Sequence, residues 1–193
     1  MKISEKIILV SASPRRRQIL EEAGFRFEVI PTAVDESFDP DLPAEKVPEV
    51  LARRKVEAFP YEDPRQIILG ADTVVIVNGR ILNKPEDRQE AVEMLKGLSD
   101  NTHRVVTGVC IRANNSLITF SDTTLVHFKA LSPQEIDYYV DHFSPYDKAG
   151  GYGVQDFIGM VGIDRLEGSF YNVMGLPVHQ VYHHLKPYIR FGE

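Results

Sequence analysis

Short apolar blocks and apolar residues at helical spacing alternate along the 193 residues of the chain. At the amino end, a block within residues 6–12 predicts a strand, helical spacing predicts a helix over 14–23, and a block over 25–32 predicts another strand. A strand–helix–strand start is typical of folds in which helices pack against a sheet. We therefore predict an α/β protein.

The same two patterns predict the remaining elements. The pair Asn78-Gly79 is typical of a type I′ turn between two antiparallel strands. Predicted strands span 66–77, 80–82, 102–113, 116–130 and 160–163, and predicted helices span 44–59, 87–98, 132–142 and 177–185.

The turn after the first strand is the first candidate for function. Ser13 and Pro14 suit the cap and the first position of a helix, and the next three residues are Arg15, Arg16 and Arg17. Cations oppose the dipole at this end of a helix unless an anion lies there, and arginine is well suited to phosphate oxygens. Helical geometry directs Arg16 along the apolar face, Arg15 about a quarter turn away and Arg17 towards solvent. Arg16 and Arg15 are therefore expected to line an anion-binding cleft, and three solvated arginines are the alternative.

Two lysines also occupy positions that suit a cleft. Lys55 falls on the apolar stripe of the helix over 44–59, four residues after Leu51 and four before Phe59. Lys84 follows the predicted hairpin, just before the next helix. For each of them, either the ammonium binds an anion or it reaches solvent at the end of a partly covered stem.

Asp72 interrupts the nearly continuous apolar run over 66–77, which predicts a strand buried on both faces. A carboxylate inside such a run is costly unless it is paired, binds a metal or opens onto a cleft. Thr73 follows and, in a regular strand, faces the other way. A structural aspartate that accepts backbone hydrogen bonds is the alternative.

The segment from Asp147 to Gln155 is rich in glycine. Three glycines in four positions, Gly150, Gly151 and Gly153, suit a turn to which a ligand can come close. The segment lacks the Gly-Lys-Ser/Thr ending of a Walker loop, so its spacing alone is weak support for phosphate binding.

Composition narrows the class of protein. The net charge of -6 disfavours overall electrostatic attraction to nucleic acid or to an anionic membrane. A local basic cleft on such a protein suits a small anion as ligand. The one cysteine, Cys110, excludes an internal disulfide framework and a zinc site built from cysteines. The apolar run at the amino end is too short for a signal peptide, and no run is long enough to span a membrane. We expect a soluble cytoplasmic protein.

Together, these stretches resemble the Maf family of nucleoside triphosphate pyrophosphatases, nearly from end to end. The resemblance implies one domain over 1–193 with a two-lobed α/β fold similar to the inosine triphosphate pyrophosphatases, an elongated mixed sheet flanked by helices, and a central cleft. The segments that carry it are Ser11-Ala12-Ser13-Pro14-Arg15-Arg16, Glu36, Lys55, Gly70-Ala71-Asp72-Thr73-Val74-Val75, Lys84-Pro85, Asp147 to Gln155, Glu167 to Val173, and Gly175-Leu176-Pro177.

The resemblance also implies roles for individual residues. Asp72 matches the family's proton acceptor, which activates a water molecule. Arg16, Thr73 and Gln155 match the positions that select the base, and these three residue types resemble the branch that hydrolyses dTTP and UTP. The family usually has glycine after the Gln155 position, whereas this chain has Asp156, and this departure bears on the preference for a base.

The implied chemistry is consistent with the residue types. A triphosphate carries several negative charges, which suits phosphate binding by Ser11, Arg15, Lys55 and Lys84. Glu36 and Asp72 offer hard oxygen ligands to Mg²⁺ or Mn²⁺. Water would attack the α-phosphorus, and the products would be a nucleoside monophosphate and pyrophosphate.

Two further functions remain open alongside hydrolysis of dTTP and UTP, or of modified pyrimidine nucleotides. One is hydrolysis of 7-methyl-GTP, the preference of the sister branch. The other is a nucleotide-binding regulator of cell division, because the family is associated with inhibition of septum formation. The expected partner is a nucleoside triphosphate rather than nucleic acid or membrane. A homodimer and a cell-division partner are left open.

Overall fold

The computed structural model describes residues 2–192. Its α-helices and strands largely follow the apolar pattern of the sequence. The strands are β1 (Lys2–Ile3), β2 (Lys6–Leu9), β3 (Phe27–Val29), β4 (Gln66–Val77), β5 (Arg80–Leu82), β6 (Thr102–Ala113), β7 (Ser116–Phe128), β8 (Ile163–Glu167) and β9 (Ile189–Arg190). The α-helices are α1 (Pro14–Glu22), α2 (Val47–Glu57), α3 (Arg88–Leu98), α4 (Pro133–Phe143), α5 (Phe157–Gly162), α6 (Phe170–Met174) and α7 (Val178–Leu185).

Seven strands of the described chain form one mixed sheet. Its order is β3-β2-β4-β6-β7-β8, and β5 pairs with β4. Strand β2 is parallel to both β3 and β4, whereas the pairs β4–β5 and β7–β8 are antiparallel. The predicted α/β class, with a mixed sheet and flanking helices, is confirmed. None of the helices in residues 2–192 combines the length and the apolar character that crossing a bilayer requires.

The chain divides into two compact units. Unit 1 consists of Met1–Asp72, Thr107–Asp122 and Gly175–Glu193, and unit 2 consists of Thr73–Val106 and Thr123–Met174. That the whole chain acts as one domain stays a prediction.

Unit 1 has an apolar core between its sheet strands and α2. Ile8, Val10 and Ile68 of the strand region pack with Ala52 and Val56 of the helix, and Cys110 is buried in the same cluster. The predicted helix over 44–59 begins as a 3₁₀ turn, Ala44–Lys46, and α2 then ends at Glu57. The strand predicted over 25–32 is shorter, because only Phe27–Val29 pairs with β2.

Unit 2 has its own core, in which α3 and α4 pack on the sheet. Their buried members include Leu95, Leu98, Ile136, Tyr139 and Val140. Both helices have side-chain caps: the side chain of Asp87 accepts a hydrogen bond from the Glu90 amide, and Ser132 and Glu135 form a capping box. The Asn78-Gly79 turn is also as predicted, with φ values of 49° and 76°.

The predicted strand over 160–163 is wrong. Met160 belongs to α5, and the strand β8 begins only at Ile163. A short apolar run fits a buried strand and a buried helical turn equally well, and here Ile158 and Gly162, four residues apart, are both buried in the helix. Gly162 lets this helix approach closely, because a Cβ there would lie 2.9 Å from a methyl carbon of Leu131.

His103 in the unit 2 core predicts a pH-dependent stability. Its Nε2 lies 2.7 Å from the hydroxyl of Tyr152, and burial lowers its pKa to about 4. Because the folded-state pKa is below that of the unfolded chain, stability is lost as pH falls below about 6.5. Between pH 7.5 and 5.5, we expect the wild type to lose about 1 kcal/mol more in free energy of unfolding than His103→Gln.

Urea unfolding at the two pH values measures this difference. His142→Gln is the matched control, since His142 is an exposed histidine of α4 and the same substitution there should change the free energy of unfolding by less than about 0.5 kcal/mol at either pH. Equal pH dependence in wild type and His103→Gln would contradict the assignment.

Candidate active site

The amino end of α1 places Arg16 as its sequence predicts. Ser13 caps the helix by accepting a hydrogen bond from the Arg16 amide. The guanidinium of Arg16 is buried, and it donates from Nε to the carbonyl of Gly175 at 2.8 Å and from Nη1 to Oγ of Ser11 at 3.0 Å. Arg15 is half-buried, whereas Arg17 is exposed and pairs with Glu21. The predicted directions of the three arginines are therefore confirmed.

Lys55 joins two of the predicted carboxylates within unit 1. Its Nζ lies 2.6 Å from Oδ1 of Asp72 and 2.8 Å from Oε1 of Glu36. The side chain of Lys55 is 11% exposed and that of Asp72 is 14% exposed, so this pair is largely shielded from water, whereas Glu36 is 58% exposed. The buried stem that the apolar stripe of α2 predicts is confirmed, and the ammonium ends on two acids.

The loop that carries Glu36 is held by a residue that the sequence did not single out. Arg54, the neighbour of Lys55 in α2, donates from Nη1 to the carbonyl of Asp35 at 3.1 Å and to the carbonyl of Ser37. One guanidinium thus donates hydrogen bonds to the backbone on both sides of Glu36. The only available signal was the position of Arg54 beside Lys55.

Charges in this region act on one another. Burial lowers the pKa of Arg16, while the negative charges of Asp72 and Glu36 oppose that shift and the positive charge of Arg15 adds to it. The buried guanidinium therefore gains stability from the two carboxylates. An anionic ligand would stabilise the charged form of Arg16 in the same way.

The donor set of Glu36 and Asp72 fits a hard divalent cation. Their two oxygens share one ammonium, which places them no more than about 5.4 Å apart. Residues 2–192 contain no group of three or more His, Cys, Asp or Glu side chains arranged to hold a metal. Such a pair can supply part of a Mg²⁺ shell, and Mg²⁺ commonly completes its shell with water and substrate phosphate oxygens.

The other three predicted residues lie in unit 2. Thr73 follows Asp72 directly in β4 and is partly buried, and Lys84 is exposed. Gln155 is partly buried, and its Oε1 is a buried acceptor without a hydrogen-bond partner among residues 2–192. Gly150, with φ of 71°, donates from its amide to the carbonyl of Asn83, so the glycine-rich turn is bonded to the residue before Lys84.

Replacing Arg16 with lysine tests the importance of the two hydrogen bonds that its guanidinium donates, to Gly175 and to Ser11. One ammonium cannot reproduce both the bond to Gly175 and the bond to Ser11, so we expect the free energy of unfolding to fall by about 1–3 kcal/mol. Arg17→Lys is the matched control on the same helix, with an expected change below about 0.5 kcal/mol because Arg17 is exposed. Urea unfolding measures the free energy of unfolding of both variants. Equal losses in the two would contradict a stabilising role for the two hydrogen bonds of Arg16.

Comparison with known proteins covers nearly the whole chain. Residues 6–188 match the family described as Maf, Maf-like protein. A dTTP/UTP pyrophosphatase of Porphyromonas gingivalis is 51% identical over 193 residues, which cover 97% of this chain and 95% of that protein. A protein of the same name from Bacteroides thetaiotaomicron is 44% identical and covers 94% of this chain and 95% of its own length.

A solved HAM1 protein from Coxiella burnetii superposes with a TM-score of 0.48 at 13% identity, over 95% of this chain and 99% of that one. A likeness at this level does not contribute to the assignment. The family match and the identity to its members do: this chain belongs to the Maf family.

Proposed function

We propose that this protein is a nucleoside triphosphate pyrophosphatase that converts dTTP and UTP to the monophosphate and pyrophosphate. The observation that carries the proposal is the cluster in which Lys55 bridges Asp72 and Glu36 at 2.6 and 2.8 Å. The names of the two relatives, both dTTP/UTP pyrophosphatases, support the same activity. Residues 1–193 would act as one domain, in the cytoplasm.

Asp72 is the general base in this proposal. Its carboxylate accepts a proton from a water molecule as that water attacks the α-phosphorus, and the bond between the α-phosphorus and the bridging oxygen breaks. Lys55 holds the carboxylate in place through its 2.6 Å bond. The exposed 14% of the Asp72 side chain gives the water access.

Positive side chains bind the phosphates and stabilise the pyrophosphate that leaves. Arg15, Lys55 and Lys84 provide charge, and the hydroxyl of Ser11, which Arg16 orients, can donate to a phosphate oxygen. The three cations are assigned by residue type and by resemblance.

Glu36 and Asp72 would hold Mg²⁺ or Mn²⁺ through carboxylate oxygens. When bound, such an ion supplies Lewis-acid polarisation of phosphate oxygens. Arg54 fixes the backbone on both sides of Glu36 and so limits the positions that its carboxylate can take.

Arg16, Thr73 and Gln155 are proposed to select the base. Uracil and thymine each present one ring N–H donor between two carbonyl oxygens. The buried Oε1 of Gln155 is an acceptor of the kind that this N–H requires, and the amide nitrogen of the same side chain is a donor. A site with a buried acceptor rejects a base that lacks the matching donor, because the acceptor would stay unsatisfied.

Pyrophosphate release from a panel of nucleoside triphosphates, with Mg²⁺ or Mn²⁺, tests the function. Inorganic phosphate is followed separately, and Asp72→Asn purified in parallel detects contaminating phosphatases. Release from dTTP and UTP above all others is the expected result. Release above all from 7-methyl-GTP would assign the chain to the sister activity, and nucleotide binding without any release would favour the regulator of cell division.

A further inference from the structure

The residue after Gln155 is the departure from the usual family sequence, and its side chain has a defined place in unit 2. Asp156 occupies the cap position of α5, where an aspartate usually accepts a hydrogen bond from its own helix. Here it makes no such bond. Its Oδ2 accepts a hydrogen bond from the hydroxyl of Tyr139 at 2.9 Å instead.

Tyr139 connects this carboxylate to residues 149–155, the part of the glycine-rich segment that we call the glycine-rich loop. Its hydroxyl donates to Asp156 and accepts from the amide of Gly153 at 3.1 Å, so it acts both as a donor and as an acceptor. The ring of Tyr139 is fully buried in the core of unit 2, on α4. The middle of the loop is therefore bonded to a rigid helix.

Lys148 adds a contact between the two ends of the loop. Its Nζ lies 3.5 Å from Oδ2 of Asp156 and 2.8 Å from Oδ1 of Asp147, and its side chain is 13% exposed. Lys148 and Asp156 flank residues 149–155, so this ion pair connects the two ends of the loop. Gln155 is the last residue of the loop and lies next to this ion pair in the sequence.

Gly153 lets the carboxylate come close. A Cβ at this position would lie 2.5 Å from Oδ2 and 2.7 Å from Cγ of Asp156, distances at which something must shift. The carboxylate therefore packs directly on the backbone of the loop, as well as bonding to Tyr139. A residue with no side chain at 156 would leave this space empty.

We propose that Asp156 and Tyr139 are positioning residues that fix the glycine-rich loop, and with it Gln155, in the conformation that selects a pyrimidine base. The inference rests on the proposed function and deepens it. Without the hydrogen bonds of Tyr139 to Asp156 and Gly153, only a fraction of the molecules would hold Gln155 in place, and the apparent affinity for a pyrimidine nucleotide would fall to that fraction of its value. Chemistry at Asp72 would continue at its usual rate once the nucleotide is bound.

Tyr139→Phe is the main test, because it keeps the buried ring and removes only the hydroxyl. We expect amide exchange at Gly153 to become at least tenfold faster, since its acceptor is gone. KM for dTTP and UTP should rise about tenfold with kcat within twofold of wild type. KM for nucleotides with other bases should change less than twofold, so that the preference for pyrimidines shrinks.

Asp156→Ala should reproduce these changes, and Asp156→Asn should restore most of the exchange protection, because a carboxamide oxygen still accepts from Tyr139. These two variants also keep the proposal testable if Tyr139→Phe does not fold. Tyr138→Phe is the matched control on the same helix: it removes the hydroxyl of a tyrosine outside the cluster and should leave all readouts unchanged.

Two results would overturn the proposal. Unchanged exchange at Gly153 in Tyr139→Phe would show that the hydroxyl does not hold the loop, and faster exchange with unchanged KM would show that the held loop does not select the base. If the wild type released no pyrophosphate, the proposed function would fail. The Kd for dTTP would then replace KM, and the same two results would still decide the inference.

Discussion

Asp72→Asn will lower the rate of pyrophosphate release from dTTP about a thousandfold, within the range that a general base contributes. The substitution keeps the shape of the side chain and removes its ability to accept the proton of the attacking water. Lys55 keeps its second partner, Glu36 at 2.8 Å, so the variant should fold. The loss should appear in kcat, because the residues proposed to bind the phosphates, Arg15, Lys55 and Lys84, are unchanged.

Three measurements separate this explanation from a general loss of structure. Single-turnover kinetics give the chemical rate, calorimetry gives the Kd for dTTP, and urea unfolding gives the stability. Asp63→Asn is the matched control, because Asp63 is an aspartate of unit 1 whose partner, Arg65, is a surface residue. If Asp72→Asn turned over at the wild-type rate, Asp72 would not be the base.

The second large effect concerns stability: Gly108→Ala will lower the free energy of unfolding by about 3 kcal/mol. Gly108 lies in β6, and a Cβ there would fall far inside van der Waals contact with backbone atoms of Pro48 and Glu49 at the start of α2. Backbone atoms cannot rotate away as a side chain can. The helix that carries Lys55 would therefore have to shift from the strand.

Gly97→Ala is the opposite control. Gly97 is an exposed position in α3, where an added Cβ would meet no atom within 4 Å apart from its chain neighbours and the backbone of its own helix, and alanine in a helix is favoured over glycine by about 0.5–1 kcal/mol. We expect Gly97→Ala to raise the stability by that amount in the same urea experiment. A similar, small change in both variants would contradict the close approach at Gly108.

Features that depend on neighbouring residues could be predicted from the sequence. The turn at Asn78-Gly79, the cap at Ser13 and the long strand β4 each depend on a few adjacent positions. The direction of Arg16 was predictable because helical geometry relates it to apolar positions on the same helix. The segment at Met160 was not, because four apolar residues suit a strand and a helical turn alike.

Contacts between residues that are far apart in the sequence could not be predicted from the apolar pattern. The sequence indicated Lys55 and Asp72 separately, but their 2.6 Å contact depends on how α2 packs against β4. The grip of Arg54 on the loop around Glu36 and the bond between Tyr139 and Asp156 likewise depend on packing. The sequence marks Asp156 as a departure from the usual family pattern, but no local pattern predicts its bond to Tyr139, a residue 17 positions away.

The pairing of β1 with β9 affects how unit 1 is completed during synthesis. Lys2 pairs with Arg190 and Ile3 with Ile189, so strand β1 cannot pair until the much later strand β9 has been synthesised. On the ribosome, unit 1 is incomplete until its segment after Gly175 has emerged, whereas the last segment of unit 2, Thr123–Met174, emerges earlier. Contacts with such long sequence separation also slow folding. Unit 1, which carries Asp72, is thus completed after unit 2 on a nascent chain.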